Sequence, residues 1–244
     1  MKKTILACAL LGSLAFSSAH AESLMVFKVG GDYWKADTSG TFAENGQAQQ
    51  DVNYSSSSQG SIWVSFEHPI PLVPNVKIRE NRLDSDGSGS FNGDFNGHAF
   101  SGDVNVNTDL SNTDFVLYYE LLNNDLVELD LGAAYKRMSG SFRVADAGHP
   151  EQKDLDSGIT MAYADAQVGV PGLGLYGFAE VMLGIDESSV YDYTVGLGWQ
   201  FDGDALDTKV RVGYREFNFD VNDFDGVSTN SQFKGFFAGV ELVF

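Results

Sequence analysis

The closing stretch Phe233–Phe244, FKGFFAGVELVF, decides the fold class. Read back from Phe244, every second residue is apolar: Leu242, Val240, Ala238 and Phe236. Between them lie Val243, Glu241, Gly239, Phe237 and Gly235, a mixed set that includes a carboxylate. A period of two places these sets on opposite faces of a strand, each meeting different surroundings. Chain ends are usually polar and frayed. This pattern instead runs to the last residue, as expected of a strand held in a sheet.

Working back along the chain, similar alternation recurs in ten segments: Leu24–Asp37, Ser61–His68, Val76–Arg79, Asp114–Leu121, Val127–Lys136, Gly158–Val168, Leu175–Leu183, Asp192–Phe201, Thr208–Arg215 and the terminal strand. The ninth sets Val210, Val212 and Tyr214 against Lys209, Arg211 and Arg215. The connections fall into two classes. Residues 69–74, Asn123–Asp125, 170–174 and 202–205 are short, whereas 38–60, 84–112, 140–157 and 220–231 are long and polar, with DESS (186–189) the one short member of the second set. Short turns at one end and long loops at the other are the asymmetry of an outer-membrane barrel. Segments of about 10 residues suffice to cross the hydrocarbon when tilted. A secreted β-sandwich also alternates, but it would turn its polar faces outward. Here the polar faces are narrow, and reversing the ninth strand would put Lys209, Arg211 and Arg215 into lipid at about 2–4 kcal/mol each near the midplane. The sequence therefore predicts an all-β, antiparallel transmembrane β-barrel, most simply of ten strands with eight or twelve open. Short periplasmic turns and both termini share one end, and long extracellular loops the other.

Residues 1–21, MKKTILACALLGSLAFSSAHA, read as a signal peptide with an A-x-A cleavage site. Residues 22–244 are then a single barrel domain exported to the bacterial outer membrane. Cys8, the only cysteine, leaves with the signal, so the mature chain has no disulfide. Losing Lys2 and Lys3 takes the formal charge from −19 to −21. So acidic a chain argues against nucleic acid and against anionic surfaces as partners. The partners expected are outer-membrane lipid and lipopolysaccharide, with periplasmic chaperones and the barrel-assembly machinery during biogenesis.

Alternation points Lys28, Lys77, Arg79, Lys136, Lys209, Arg211 and Arg215 inward, facing Asp32, Glu67, Glu120, Glu128, Asp130, Asp165, Glu180 and Glu241. Eight strands leave a lumen about filled by side chains, and wide pores take sixteen or more. Unpaired charges in such a space are costly, so these groups are expected to pair and close the lumen or leave a thread of water. A narrow porin for small solutes is the alternative.

Three other stretches invite a functional reading. DSDGSGSFNGD (Asp84–Asp94) begins like a calcium loop, with Asp84, Asp86, Ser88 and Gly89, but Phe95 stands where the bidentate Glu is required. His68, His98 and His149 are the candidate catalytic groups, but no G-x-S-x-G elbow accompanies them. The expectation is a non-enzymatic protein with no cofactor, metal or catalytic residues. Tyr54, Phe91, Phe95, Phe100 and Phe224, set among Gly, Ser, Asn and Asp of the long loops, suit surface recognition or adhesion.

The segment Gly30-Gly31-Asp32-Tyr33-Trp34 within VGGDYW, the HPIPLVPN and GVPGLG turns and the aromatic terminal strand resemble the Gly-Gly outer-membrane protein family of Gram-negative bacteria. The resemblance implies a small outer-membrane barrel of unassigned role and supplies no catalytic residues. Separately, the strand ending at Phe244 resembles the signal read by the barrel-assembly machinery.

Overall fold

The computed structural model describes residues 25–44, 46–124 and 126–244; the signal peptide expected over residues 1–21 lies outside these. The first five strands are β1 (Val26–Glu44), β2 (Gln50–Tyr54), β3 (Ser57–Glu67), β4 (Asn75–Arg82) and β5 (Asp84–Phe95). Then come β6 (His98–Asp109), β7 (Asn112–Asn123), β8 (Val127–Met138), β9 (Ser141–Ala145) and β10 (Pro150–Asp154). The last five are β11 (Gly158–Gly169), β12 (Leu175–Gly184), β13 (Tyr191–Phe201), β14 (Asp207–Phe224) and β15 (Val227–Val243).

Ten of them close a transmembrane antiparallel barrel in the order β1, β3, β4, β7, β8, β11, β12, β13, β14, β15 and back to β1. The closing seam runs from Lys28 opposite Val243 to Glu44 opposite Val227. Phe244 extends it: its amide donates to the Phe27 carbonyl at 2.8 Å and its carbonyl accepts from the Phe27 amide at 3.2 Å. Closure leaves the barrel no edge to pair with another chain. The faint strand around Gly158–Val168 is β11, so the count is ten.

Facing out from the barrel is an apolar belt that includes Ile62, Val64, Phe115, Leu117, Leu131, Val195, Leu197, Val212 and Val240. On β14 the outward Thr208, Val210, Val212 and Tyr214 oppose inward Lys209, Arg211, Gly213 and Arg215. Beyond Arg215 the phase is kept but the polarity inverts. Phe217, Phe219 and Val221 are buried inside, while Glu216, Asn218 and Asp220 occupy the other face. The inversion marks where lipid gives way to water outside the wall.

Above it the long connections are not loops. Strands β2, β5, β6, β9 and β10 extend from the upper part of β1, in the order β1, β2, β5, β6, β9, β10. This cap sheet wraps a core of Phe42, Phe91, Phe95, Phe142, Phe217 and Phe233. The Phe42 ring lies 5.6–5.7 Å from those of Phe91, Phe95 and Phe142. The free end of β10 comes round to the β14–β15 turn. There the Asp225 carboxylate accepts from the amides of Asp156 and Ser157 at 2.9 and 3.0 Å. Lys153 meanwhile pairs with Glu44 at 2.7 Å.

The cap corrects the reading of the aromatic residues as displayed and of Asp84–Asp94 as a loop. Phe91, Phe95, Phe100 and Phe224 are buried in its core rather than displayed, and Tyr54 is half-buried with its hydroxyl on that of Thr108, 2.7 Å away. Asp84–Asp94 belongs to β5, an extended strand paired with β6, so it does not curl into a calcium loop. Asp84 and Asp86 point along one face, held by the Asn107 amide at 3.0 Å each.

Candidate functional site

The lumen is the site that the alternation builds: every second residue of ten strands converges on one narrow space. Its upper tier, beneath the cap, is a closed ion-pair network. Asp192 on β13 takes Arg215 at 2.7 Å, Lys136 at 3.2 Å and Arg79 at 3.6 Å. Asp114 on β7 takes Lys136 at 2.7 Å and Arg79 at 2.9 Å. Arg215 also donates to Ser61 at 2.8 Å and Asn81 at 3.0 Å. Asn81 and Lys136 both donate to the Asn112 side-chain oxygen. Lys136, Asp114, Asn81 and Asn112 are fully buried. The Lys136 ammonium lies 5.0 Å from the Phe217 ring, so charge network and cap core meet directly.

The middle tier centres on Glu180, which binds Lys77 and Arg79 and accepts from the Tyr163 hydroxyl at 3.3 Å. Beside it Arg211 pairs with Asp32 at 2.8 Å and lies over the Trp63 ring at 4.5 Å. The Gly30–Trp34 segment explains itself here. A Cβ on Gly30 would sit 2.1 Å from the Trp63 ring, so glycine lets that indole lie across the wall. Asp32 holds Arg211, Tyr33 faces out with its hydroxyl 2.6 Å from that of Ser58, and buried Trp34 lies under Arg215 at 5.0 Å.

The lower tier opens toward the short turns and is less neutralised. Lys28 pairs with Glu67 at 2.6 Å, and Glu67 accepts from Tyr118 at 2.9 Å. Lys209 approaches Glu241 at 3.8 Å, and the Trp63 indole N–H donates to the same carboxylate at 3.3 Å. Asp130 and Asp165 are direct cross-strand neighbours, as are Glu120 and Asp130. Glu120 is exposed and takes only the Asn123 amide at 2.8 Å. No cation lies within ion-pair distance of Glu120, Glu128, Asp130 or Asp165 among the described residues. A polar cavity of about 60 Å³ remains between Lys28, Glu67, Asp130, Asp165, Arg211 and Glu241. The upper ion-pair tiers and the phenylalanine core lie above it.

Of the residues expected in the lumen, Lys28, Asp32, Glu67, Lys77, Arg79, Lys136, Glu180, Lys209, Arg211, Arg215 and Glu241 meet an opposite charge; Lys136 and Arg215 find it only on carboxylates outside that set, Asp114 and Asp192, and Arg79 binds these as well as Glu180. Glu120, Glu128, Asp130 and Asp165 do not, and one Asp130 carboxylate oxygen is buried without a hydrogen-bond partner. Asp114 and Asp192 are the hubs the sequence reading passed over, although alternation already put both on the inward face.

The histidines do not assemble a catalytic group in the lumen. His68 sits at a short turn, its ring nitrogen accepting from the Ile70 amide at 3.2 Å. At the far tip of the cap, His98 and His149 stack with ring centroids 4.1 Å apart, and His149 bonds Glu151 at 2.8 Å. That bond, with one from Asn96, holds the Glu151 carboxyl below its ordinary range.

No family model matches the chain, and no curated relative does. Among solved structures the chain resembles the outer membrane protease OmpT of Escherichia coli, with TM-score 0.52 and 8% identity over 94% of this chain and 99% of that one. The translocator domain of the autotransporter NalP from Neisseria meningitidis aligns at TM-score 0.47 and 13% identity, covering 97% and 92% of the two chains. At such identity the likeness to OmpT is one of fold, a closed ten-stranded barrel, and nothing more.

Proposed function

We propose that this chain is a non-enzymatic integral protein of the bacterial outer membrane whose lumen is closed, with the short turns periplasmic and the cap extracellular. The observation that carries the reading is the double seal. Asp114, Asp192 and Glu180 are each shared by two or more cations across the lumen, and a phenylalanine core sits directly above them. An ion crossing would have to break buried pairs and then pass a dry aromatic layer, both costly in a medium of low dielectric. The resemblance to the Gly-Gly family fits this reading, since Gly30–Trp34 serves as a structural brace between wall and network. Recognition at the cell surface would fall to the polar outer face of the cap, around Asp51, Asn53, Ser88, Asp103 and Asn105, because the aromatic residues lie inside.

Planar-bilayer recording of the purified, refolded protein tests the proposal. The expected result is a silent bilayer, with steps appearing once Asp114, Asp192 and Phe217 are replaced together by alanine. Stable, large single-channel steps from the unaltered protein would overturn it.

A further inference from the structure

Most cations of this acidic chain are committed. Seven face carboxylates in the lumen, and Arg137 and Lys153 pair with Asp156 and Glu44 in the cap. Among the described residues, Lys35, Arg82, Arg143 and Lys234 have no carboxylate within ion-pair distance. Three of these four face outward on one sector of the wall: Lys234 on β15, Lys35 on β1 and Arg82 on β4, with only β3 between the last two. Each stands at the end of an apolar run. On β15 Val240, Ala238 and Phe236 give way to Lys234, on β1 Val29 and Tyr33 give way to Lys35, and on β4 Val76 and Ile78 give way to Glu80 and Arg82.

Acidic neighbours are present but occupied by neutral donors. Asp37 accepts from Ser56 at 2.7 Å, Glu80 from Thr113 at 2.6 Å, and Glu216 from Tyr191, Tyr193 and Gln232 at 2.7–2.9 Å. Lys234 lies opposite both Asp37 and Glu216 in the sheet, yet pairs with neither. These carboxylates remain charged neighbours of Lys234 and Arg82, but none of them is in an ion pair with the three cations.

Below this rim the same sector holds a groove of about 670 Å³ in the apolar belt, between Tyr33, Ile62, Val210 and Val240, floored by Gly31 and Gly60 and reaching Glu80 and Arg82. Gly60 leaves real space: a Cβ there would meet only the Asp32 carbonyl, 3.9 Å away. Lys35 pairs with Ser58, and Arg82 with Gly60 two residues along the same strand. Strand spacing then puts the Lys35 and Arg82 backbones about 12 Å apart, a span their long side chains can close onto one anion.

We propose that this sector is a binding site for a phosphorylated, multiply acylated glycolipid of the outer leaflet. A chain lies in the groove over Gly60, and a phosphate is held by Lys35 and Arg82 with Lys234 beside them. An apolar groove alone would take any acyl chain; the unpaired cations at its rim select one with a phosphate head. The assignment of the leaflet rests on the outer-membrane reading above. Lipid binding and channel activity are separate measurements, so either can fail without the other.

Native mass spectrometry of the full chain refolded in detergent tests the site, using bis-phosphorylated lipid A, dephosphorylated lipid A and phosphatidylglycerol as probes. Lipid A is expected to remain bound at a defined one-to-one ratio, at least tenfold more tightly than the other two. The triple variant Lys35→Gln, Arg82→Gln, Lys234→Gln is expected to lose this preference. Gly60→Leu is expected to weaken both forms of lipid A alike. Both variants should keep the heat-dependent gel mobility of a folded barrel, and Arg143→Gln, whose cation lies on the cap, serves as a control that leaves binding intact. Unchanged binding by the triple variant, or equal binding of phosphorylated and dephosphorylated lipid A, would overturn the proposal. Phosphatidylglycerol binding as tightly as lipid A would overturn the glycolipid assignment.

Discussion

Below the inversion point the barrel keeps its charges inside and its Leu, Val and aromatic side chains outside; above it, the cap does the reverse. The strands do not change phase between the two. On β15, Glu241, Gly239 and Phe237 point inward and so does Phe233, while Val240, Ala238 and Phe236 point outward and so do Lys234 and Asn230. The backbone geometry is continuous, and only the solvent differs. An apolar face is stable against lipid in one region and must be buried in the other.

The comparison can be broken most severely at the charged interior. Asp192→Ala removes the acceptor shared by Arg215, Lys136 and Arg79. It is expected to cost about 3–5 kcal/mol, because three buried cations lose a partner at once. Urea unfolding in lipid vesicles measures this. Phe42→Ala attacks the other interior at the ring packed on Phe91, Phe95 and Phe142, with an expected loss of about 3–4 kcal/mol confined to the cap. Limited proteolysis should then nick residues 84–109 while the barrel keeps its folded gel mobility. If the whole barrel unfolds with it, the two interiors are one cooperative unit.

A third pair of variants locates the boundary itself. Val240→Arg and Asn230→Arg place the same charge on the same face of β15. The first is expected to cost about 2–4 kcal/mol, and the second less than about 0.5 kcal/mol. Equal costs would move the inversion point.

The smallest effect concerns the cap tip. Asp146 is held below its ordinary range by the amides of Gly148 and His149, and Glu151 by His149 and Asn96. Carboxyls depressed in the folded state contribute stability at neutral pH and lose it as pH falls through those lowered values. Hydrogen-exchange protection at the β9–β10 turn, corrected for the intrinsic rate, should therefore begin to fall as pH drops through the ordinary carboxylate range and reach its floor only below it, with the barrel unaffected.

The membrane barrel was legible because its alternation is strong and its two kinds of connection differ in length. Strand phase alone also placed Asp114 and Asp192 inward, and only their roles as hubs needed three dimensions. The cap was hidden for a physical reason. Its outward face is Asn, Asp, Ser and Gly, a composition shared with loops, and its inward Phe91, Phe95 and Phe100 are spaced by glycines that weaken the strand signal. Their aromatic rings read as display because nothing in β5 or β6 reveals that β9 and β1 return to cover them. The unpaired cations were equally invisible, since being unpaired is a property of neighbours.

Strands β1, β14 and β15 each run through both regions, and β1 meets β15 over the whole length of the seam. The cap sheet hangs from β1, and its far edge is fastened to the turn joining β14 and β15. A chain whose seam is still open therefore lacks both walls to which the cap attaches. That one ladder thus serves two structures at once: it completes the membrane wall and holds together the two anchors between which the phenylalanine core is packed.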